Sequence, residues 1–194
     1  MVVSGIPGVG KTTVLNELQD LAQQSNFDLT IVNFGTAMNE IMRGLGKNMH
    51  RDDMRQQTIE TQKRTQELAA HKILDQAGLN PVLIDTHMFV STPSGMWAGL
   101  PKNILDIIKP ELLVLIEANP EHIAARRRGD LSRKREQPLS EGIAFDLEWS
   151  RAIAAASAVE TGAPVKVIRN DTGRQKQAAL ELFQAIRNVM ENQI

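Results

Sequence analysis

The segment that most constrains this chain is Gly5-Ile-Pro-Gly-Val-Gly-Lys-Thr12, which comes one residue after the apolar run Met1-Val-Val. It has the Gly-x-x-x-x-Gly-Lys-Thr spacing of a phosphate-binding loop that connects a strand to a helix. The glycines let the chain curl so that successive N–H groups point at one anion, and the next helix adds the partial positive charge of its N-terminus. We expect Lys11 to reach the β- and γ-phosphates of a nucleotide, and the Thr12 hydroxyl to take a place on Mg²⁺. The alternative is a Gly/Pro-rich turn that merely precedes a helix.

Composition points to one intracellular domain. Of the 194 residues, 42% are hydrophobic, which suits one domain with a sizeable core. The net charge of −1 gives no general attraction to nucleic acid or membranes, and no apolar run is long enough to span a bilayer. The lack of cysteine excludes disulfides, thiolate zinc sites and a cysteine nucleophile. We therefore expect a cytoplasmic protein without a membrane or nucleic-acid partner.

Strand-like and helix-like segments alternate along the chain. Short apolar runs predict strands at residues 1–3, 29–33, 81–85, 111–117 and 164–169. Helical periodicity predicts helices at 11–24, from about 36 to 44, 51–76, 101–108, from 120, 139–160, and from a Thr172 cap to about 190. A Gly/Pro-rich loop is expected at 91–101. This alternation implies an α/β fold, a single domain over 1–194 in which helices cover both faces of a mainly parallel five-stranded sheet.

Ligands of such a sheet gather at the carboxyl ends of its strands. The phosphate-binding loop and the segments 33–36, 85–87 and 170–171 all fall there, so they can face one cleft. Val82-Leu-Ile-Asp85 is an apolar strand that ends in a carboxylate, the pattern that holds Mg²⁺ through water beside a phosphate-binding loop. The alternative is that Asp85 is an ordinary turn residue.

A basic segment follows the strand at 111–117. Its cations are Arg126, Arg127, Arg128, Arg133, Lys134 and Arg135, with Asp130 among them. In phosphoryl transfer, mobile arginines neutralise the charge that develops on the transferred group, and a closing flap excludes water. Gly129 and Pro138 bracket the run, so we predict a lid over 126–138. A solvated helix face or a nucleic-acid patch remains the alternative.

Three other arginines are candidates for anion binding. Arg151 lies among small apolar residues of a predicted helix, so it either reaches into the cleft or is an exposed helix residue. Arg51 and Arg55 lie in the polar first half of a long predicted helix. They either bind a second anionic substrate or face solvent.

These motifs together resemble the nucleoside monophosphate kinases, and the archaeal-type adenylate kinases in particular. The phosphate-binding loop has proline at its third position, as in that family. The other matching segments are Asn33-Phe-Gly-Thr36, Arg51-Asp-Asp-Met-Arg55, Thr61-Gln-Lys-Arg64, Ile84-Asp-Thr-His87, Thr92-Pro93, Gly99-Leu-Pro101, the Arg126/Arg127, Asp130 and Arg133-Lys-Arg135 spacing, and Thr161–Asn170. One departure is that bacterial relatives have an arginine shortly after the equivalent of Asp85, where this chain has His87.

The resemblance implies the P-loop kinase fold and Mg²⁺-dependent, reversible transfer, ATP + AMP ⇌ 2 ADP, in this branch commonly by a homotrimer. It implies an NMP-binding helical region at 34–80 and the lid at 126–138 within one domain. The implied ATP-binding residues are Gly5, Ile6, Pro7, Gly8, Val9, Gly10, Lys11, Thr12, Thr13 and Asn170. The implied AMP-binding residues are Gly35, Thr36, Arg51, Arg55 and His87. The implied catalytic residues are Lys11, Arg126, Arg133, Arg135 and Arg151, with Thr12 and Asp85 on the metal.

The chemistry agrees with this assignment, because a nucleoside monophosphate offers an already ionised oxygen and needs no general base. Two other functions stay open. A P-loop kinase for a hydroxyl substrate would need a carboxylate that accepts the hydroxyl proton. A nucleotide-switched ATPase with an RNA or protein partner would use the basic segment for salt-dependent binding.

Overall fold

The computed structural model describes residues 1–46, 57–78, 80–92, 95–129 and 140–191. Its central sheet has five strands, all of them parallel, in the order β2-β3-β1-β6-β7. The strands of this sheet are β1 (Val2–Ser4), β2 (Thr30–Asn33), β3 (Val82–Thr86), β6 (Leu113–Glu117) and β7 (Val165–Arg169). The described helices are α1 (Lys11–Gln24), α2 (Phe34–Gly44), α3 (Ile59–Ala77), α4 (Lys102–Ile108), α5 (Pro120–Gly129), α6 (Ser140–Thr161) and α7 (Gln175–Glu191). The predicted α/β architecture is confirmed.

Two hydrophobic cores cover the two faces of the sheet. Side chains alternate along the strands, so Val114 and Ile116 of β6 enter the first core, while Leu113 and Leu115 enter the second. The first core contains buried residues of α1, α5 and α7, and the second those of α2, α3 and α4. Burial on both faces explains why β6 is apolar at every position before Glu117.

Helix α6 contributes to both cores. Ile143 and Leu147 in its first half pack in the first core, whereas Ala154 in its second half packs in the second. The helix therefore passes from one face of the sheet to the other. Arg151 lies on the part of α6 between these two contacts.

Three predicted segments differ clearly from the structure. The antiparallel pair β4 (Phe89–Thr92) and β5 (Gly95–Ala98) overlaps the predicted loop at 91–101, because cross-strand hydrogen bonds order a segment that Gly and Pro mark only as irregular. The sequence predicts a helix over 51–76, but helix α3 begins at Ile59, where the Thr58 side chain accepts a hydrogen bond from Thr61 N–H. Gln57 and Thr58 are therefore not helical, in contrast to the prediction. Thr172 is not a cap either, since α7 begins three residues later at Gln175.

Candidate active site

The phosphate-binding loop connects β1 to α1 in the described structure as predicted. Gly10, directly before α1, has φ 82°, and a Cβ there would lie 2.6 Å from the side-chain nitrogen of Asn170. A Cβ on Gly5 would lie 2.7 Å from the main-chain oxygen of Ile116 on the neighbouring strand. Gly5 and Gly10 therefore have to lack a side chain because neighbouring atoms leave no space for one, in addition to the demands of the turn. The first turn of α1 has no acidic residue, so its N–H groups face no competing anion within that turn.

Side chains from two other elements hold the main-chain oxygens of the loop. Arg126 donates to Val9 O (2.9 Å) and to Gly8 O (3.4 Å), and Arg127 Nε donates to Pro7 O (2.8 Å). Asn170 Nδ2 donates to Val9 O (2.8 Å). The C=O and N–H of a trans peptide point in opposite directions, so fixing these oxygens also fixes the direction of the N–H groups. Arg126, predicted from sequence to act in the lid, thus lies on α5 and braces the loop.

One chain of contacts links the phosphate-binding loop to α2. Lys11 Nζ contacts the Asp85 carboxylate and donates to Thr86 O (2.7 Å). The other carboxylate oxygen of Asp85 accepts from Asn33 Nδ2 (2.6 Å). Asn33 Oδ1 in turn accepts from Thr36 N (2.9 Å) and Thr36 Oγ1 (3.1 Å), which caps α2. The structure therefore brings together Lys11, Asp85 and Thr36, which come from three separate segments of the sequence.

His87 also faces the loop. Its Nδ1 lies 2.9 Å from the main-chain oxygen of Gly5. A carbonyl oxygen only accepts, so Nδ1 is the protonated nitrogen in this contact. His87, which follows β3, thereby contacts the start of the phosphate-binding loop.

Glu117 is a candidate residue that sequence reasoning missed. It ends β6, is 2% exposed, and its carboxylate accepts from Arg151 Nε (2.7 Å) and Arg151 Nη2 (2.6 Å). Arg169 Nη1 is 3.4 Å away. The hydrogen bonds to Glu117 raise the pKa of Arg151 above its already high value. An apolar strand that ends in a carboxylate was the signal used for Asp85, and it applies equally to Glu117.

A third carboxylate, Asp171, lies in the loop that follows β7. Asp171 Oδ1 accepts from Asn119 N (2.7 Å) and lies 3.2 Å from His122 Nδ1. The hydrogen bond from Asn119 N–H, together with the one from His122, lowers the pKa of Asp171. This contact joins the loop after β7 to the loop before α5, next to the arginines that brace the phosphate-binding loop.

Comparison with known proteins identifies the family of this chain. The AAA domain family matches residues 4–143 of the chain. The adenylate kinase of Methanococcus aeolicus is 37% identical over 187 residues, which cover 96% of this chain and 97% of that protein. The adenylate kinase of Methanoculleus marisnigri is 39% identical with the same coverage. That of Sulfurisphaera tokodaii is 39% identical over 189 residues, 95% of this chain and 97% of that protein. The chain belongs to the adenylate kinase family. The resemblance to archaeal-type adenylate kinases, and with it the phosphotransferase class, is confirmed.

Part of the predicted adenylate kinase site lies outside the described residues. Arg51 and Arg55 of the AMP side, and Arg133 and Arg135 of the lid, belong to that part. Of the predicted lid, the described residues 126–129 are the last turn of α5. Of the other predicted residues, Arg126 lies on α5 and Arg151 on α6. The rest lie in the phosphate-binding loop and the first turn of α1, at the start of α2, and directly after or at the end of β3 and β7.

The donor set at this edge fits an Mg²⁺ ion held partly through water. Thr12 is exposed at the N-terminus of α1, so its hydroxyl is accessible to a metal ion. Each Asp85 oxygen already accepts one hydrogen bond, from Lys11 or Asn33. A carboxylate has further lone pairs, and Mg²⁺ usually keeps several waters in such sites. Thr12 and Asp85 are therefore compatible with the metal that adenylate kinase chemistry uses.

Proposed function

We propose that this chain transfers the terminal phosphoryl group of ATP to AMP, reversibly and with Mg²⁺, to give two ADP. The observation that supports this most directly is the chain of contacts from Lys11 through Asp85 and Asn33 to Thr36. It joins the N-terminus of α1, which suits the phosphates of a donor nucleotide, to the N-terminus of α2 across neighbouring strands. A second anionic substrate at α2 would thus meet the donor phosphates at one edge of the sheet.

Each part of the site has a separate task in this proposal. The loop N–H groups and Lys11 bind the β- and γ-phosphates of ATP, while Asn170, Arg126 and Arg127 keep the loop in shape. Thr36 and His87 serve the AMP side. Thr12 and Asp85 would hold Mg²⁺, which would neutralise charge on the phosphates. Since AMP supplies an ionised oxygen, the protein needs to align two nucleotides and to exclude water.

The finer assignments follow from the family. We propose that Gly35 and the AMP-side arginines Arg51 and Arg55 contact AMP. We also propose that Arg133 and Arg135 cover the transferred group as part of a lid over 126–138, which begins in the last turn of α5 where Arg126 braces the phosphate-binding loop. We also propose a cytoplasmic homotrimer. No described helix is long and apolar enough to cross a membrane.

The test is a transfer assay with separate acceptors. Purified protein is incubated with Mg²⁺-ATP and AMP, CMP, GMP or UMP, one at a time, and the nucleoside diphosphates are separated and quantified. We expect ADP to form with AMP at a rate far above the rate without acceptor. ADP alone should return ATP and AMP.

Two results would contradict the proposal. ATP hydrolysis that is unchanged by AMP but is altered by RNA would favour the nucleotide-switched ATPase. Transfer to a small hydroxyl compound but not to AMP would favour the other kinase class. Sedimentation of the same sample tests the trimer, and a monomer would refute that part alone.

A further inference from the structure

Glu117 has a position that packing alone does not explain. It is a carboxylate with 2% exposure at the end of the fully buried strand β6. Taking an ionised carboxylate out of water is strongly unfavourable unless it is paired and hydrogen-bonded. Both of its oxygens accept from the guanidinium of Arg151, and Arg169 lies close to one of them.

The geometry of the pair leaves Arg151 able to bind a second anion. Arg151 uses Nε and Nη2 on Glu117, so the edge of the guanidinium that includes Nη1 points away from that carboxylate. Its side chain is 51% exposed, in contrast to the buried Glu117. A planar guanidinium that is held along one edge presents its remaining N–H groups in a defined direction.

The pair of Glu117 and Arg151 lies at the carboxyl edge of the sheet, where the phosphate-binding loop also lies. The main-chain oxygen of Glu117 accepts from Asn170 N (2.7 Å), and the Asn170 side chain holds Val9 of the phosphate-binding loop. Leu113 and Leu115 point into the second core, so by alternation Glu117 points to the same face, where α2 packs. Arg151 is therefore tethered at the carboxyl end of β6, beside the strand β1 that leads into the phosphate-binding loop, and on the sheet face that also carries α2.

We propose that Glu117 is a positioning residue that holds Arg151 for contact with the phosphates throughout the reaction. This inference rests on the proposed function, because it assigns a task within the same transfer. Fixing the guanidinium in advance removes the reorganisation that a free arginine side chain would undergo as charge develops on the transferred group. Arg151 touches the phosphates, and Glu117 acts through it.

The test is a double-mutant cycle on kcat and KM for ATP and AMP. We expect Glu117→Gln to lower kcat roughly 10- to 100-fold with a smaller change in either KM, since a single lost transition-state contact costs on the order of 10²- to 10³-fold. Arg151→Ala should lower kcat at least as much. In the Arg151→Ala background, Glu117→Gln should change kcat less than about twofold. Glu160→Gln, an exposed acid at the far end of α6 that pairs with Lys102, is the matched control and should leave kcat unchanged.

Two results would overturn the proposal. Equal losses from Glu117→Gln in both backgrounds would mean that Glu117 does not act through Arg151. Glu117→Gln with wild-type kcat would mean that the pair has no part in transfer. If Glu117→Gln does not fold, Glu117→Asp, which keeps the charge but shortens the side chain, replaces it in the cycle with the same expectations.

A second measurement does not depend on activity. The Nε–H signal of Arg151 in the wild-type NMR spectrum, assigned by its disappearance in Arg151→Lys, should exchange slowly with water both without and with bound ATP. Fast exchange after ATP binding would show that Arg151 leaves Glu117, which contradicts the proposal. Failure of the proposed function can be distinguished from slow or fast exchange of this signal, because in that case the wild-type protein would form no ADP.

Discussion

Asn170, at the end of β7, donates a hydrogen bond of 2.8 Å to the main-chain oxygen of Val9, although the two residues lie 161 positions apart in the sequence. The amide is fully buried, and it occupies the space into which a side chain on Gly10 would project. The shape of the phosphate-binding loop therefore depends on the last strand of the sheet as well as on the loop's own glycines.

Gly10→Ala should weaken ATP binding by more than tenfold. The new Cβ would lie 2.6 Å from Asn170 Nδ2, and residue 10 has φ 82°, so both the loop and Asn170 must shift. Titration calorimetry with ATP measures the change. Gly162→Ala is the matched control, because Gly162 has φ 73° and open space around its Cβ position. It should lower the free energy of unfolding by about 1–2 kcal/mol and leave ATP affinity unchanged. Similar ATP affinities for the two variants would contradict the role of Asn170.

Lys11→Met should lower kcat for ADP formation by roughly 10²- to 10³-fold, because it removes a cation directed at the charge on the transferred group. The Lys11 ammonium is held by Asp85 and Thr86 O at the mouth of the loop. A coupled assay of ADP formation measures the effect. Lys102→Met removes an exposed lysine that pairs with Asp106 and Glu160, and it should retain the wild-type rate. Equal rates for Lys11→Met and the wild type would refute the assignment of the phosphate-binding loop.

Asp85→Asn should raise the Mg²⁺ concentration that gives half the maximal rate by about 10- to 100-fold, as is usual when a group that orients a metal's ligands is lost. The substitution keeps the size of the side chain and its contact with Asn33 but removes the charge. The measurement is a Mg²⁺ titration of the transfer rate at fixed nucleotide concentrations. The control is Asp106→Asn on the surface of α4, whose partner is Lys102. An unaltered Mg²⁺ dependence in Asp85→Asn would argue against a place for Asp85 near the metal.

Asp171 should stabilise the fold in a pH-dependent way. The Asn119 N–H hydrogen bond lowers the pKa of Asp171 in the folded state below its value in the unfolded chain. A depressed folded pKa contributes stability that is complete above the unfolded pKa of about 3.9 and is lost as the pH falls through the folded pKa.

The measurement is urea unfolding of wild type and Asp171→Asn from neutral to acid pH. The difference in unfolding free energy between the two proteins should be constant at neutral pH and should shrink below about pH 4. Asp28→Asn, which removes another carboxylate, serves as the control. A difference that stays constant to the lowest pH at which the protein folds would contradict the shifted pKa.

The sequence by itself determined the phosphate-binding loop, the alternation of strands and helices, and the presence of Asp85 at the end of a strand. These are local features, because a loop motif depends on spacing and an element on the period of its apolar residues. Parallel order then follows, since helical connections between strands bring their carboxyl ends to one edge. The loop motif, the apolar periodicity and the parallel strand order are therefore sufficient to predict that Lys11, Asp85 and Asn170 face a common cleft.

Only the tertiary structure decided which partners these side chains take. Arg126 was predicted to act in a lid, but α5 directs it to the oxygens of Val9 and Gly8. The pair of Glu117 and Arg151 forms because α6 crosses from one core to the other. The spacing of apolar residues along α6 does not encode this crossing. The physical reason is that a hydrogen bond is set by distance and direction in space. Residues far apart in the sequence acquire such a geometry only when the two cores pack and fix the helices against the sheet.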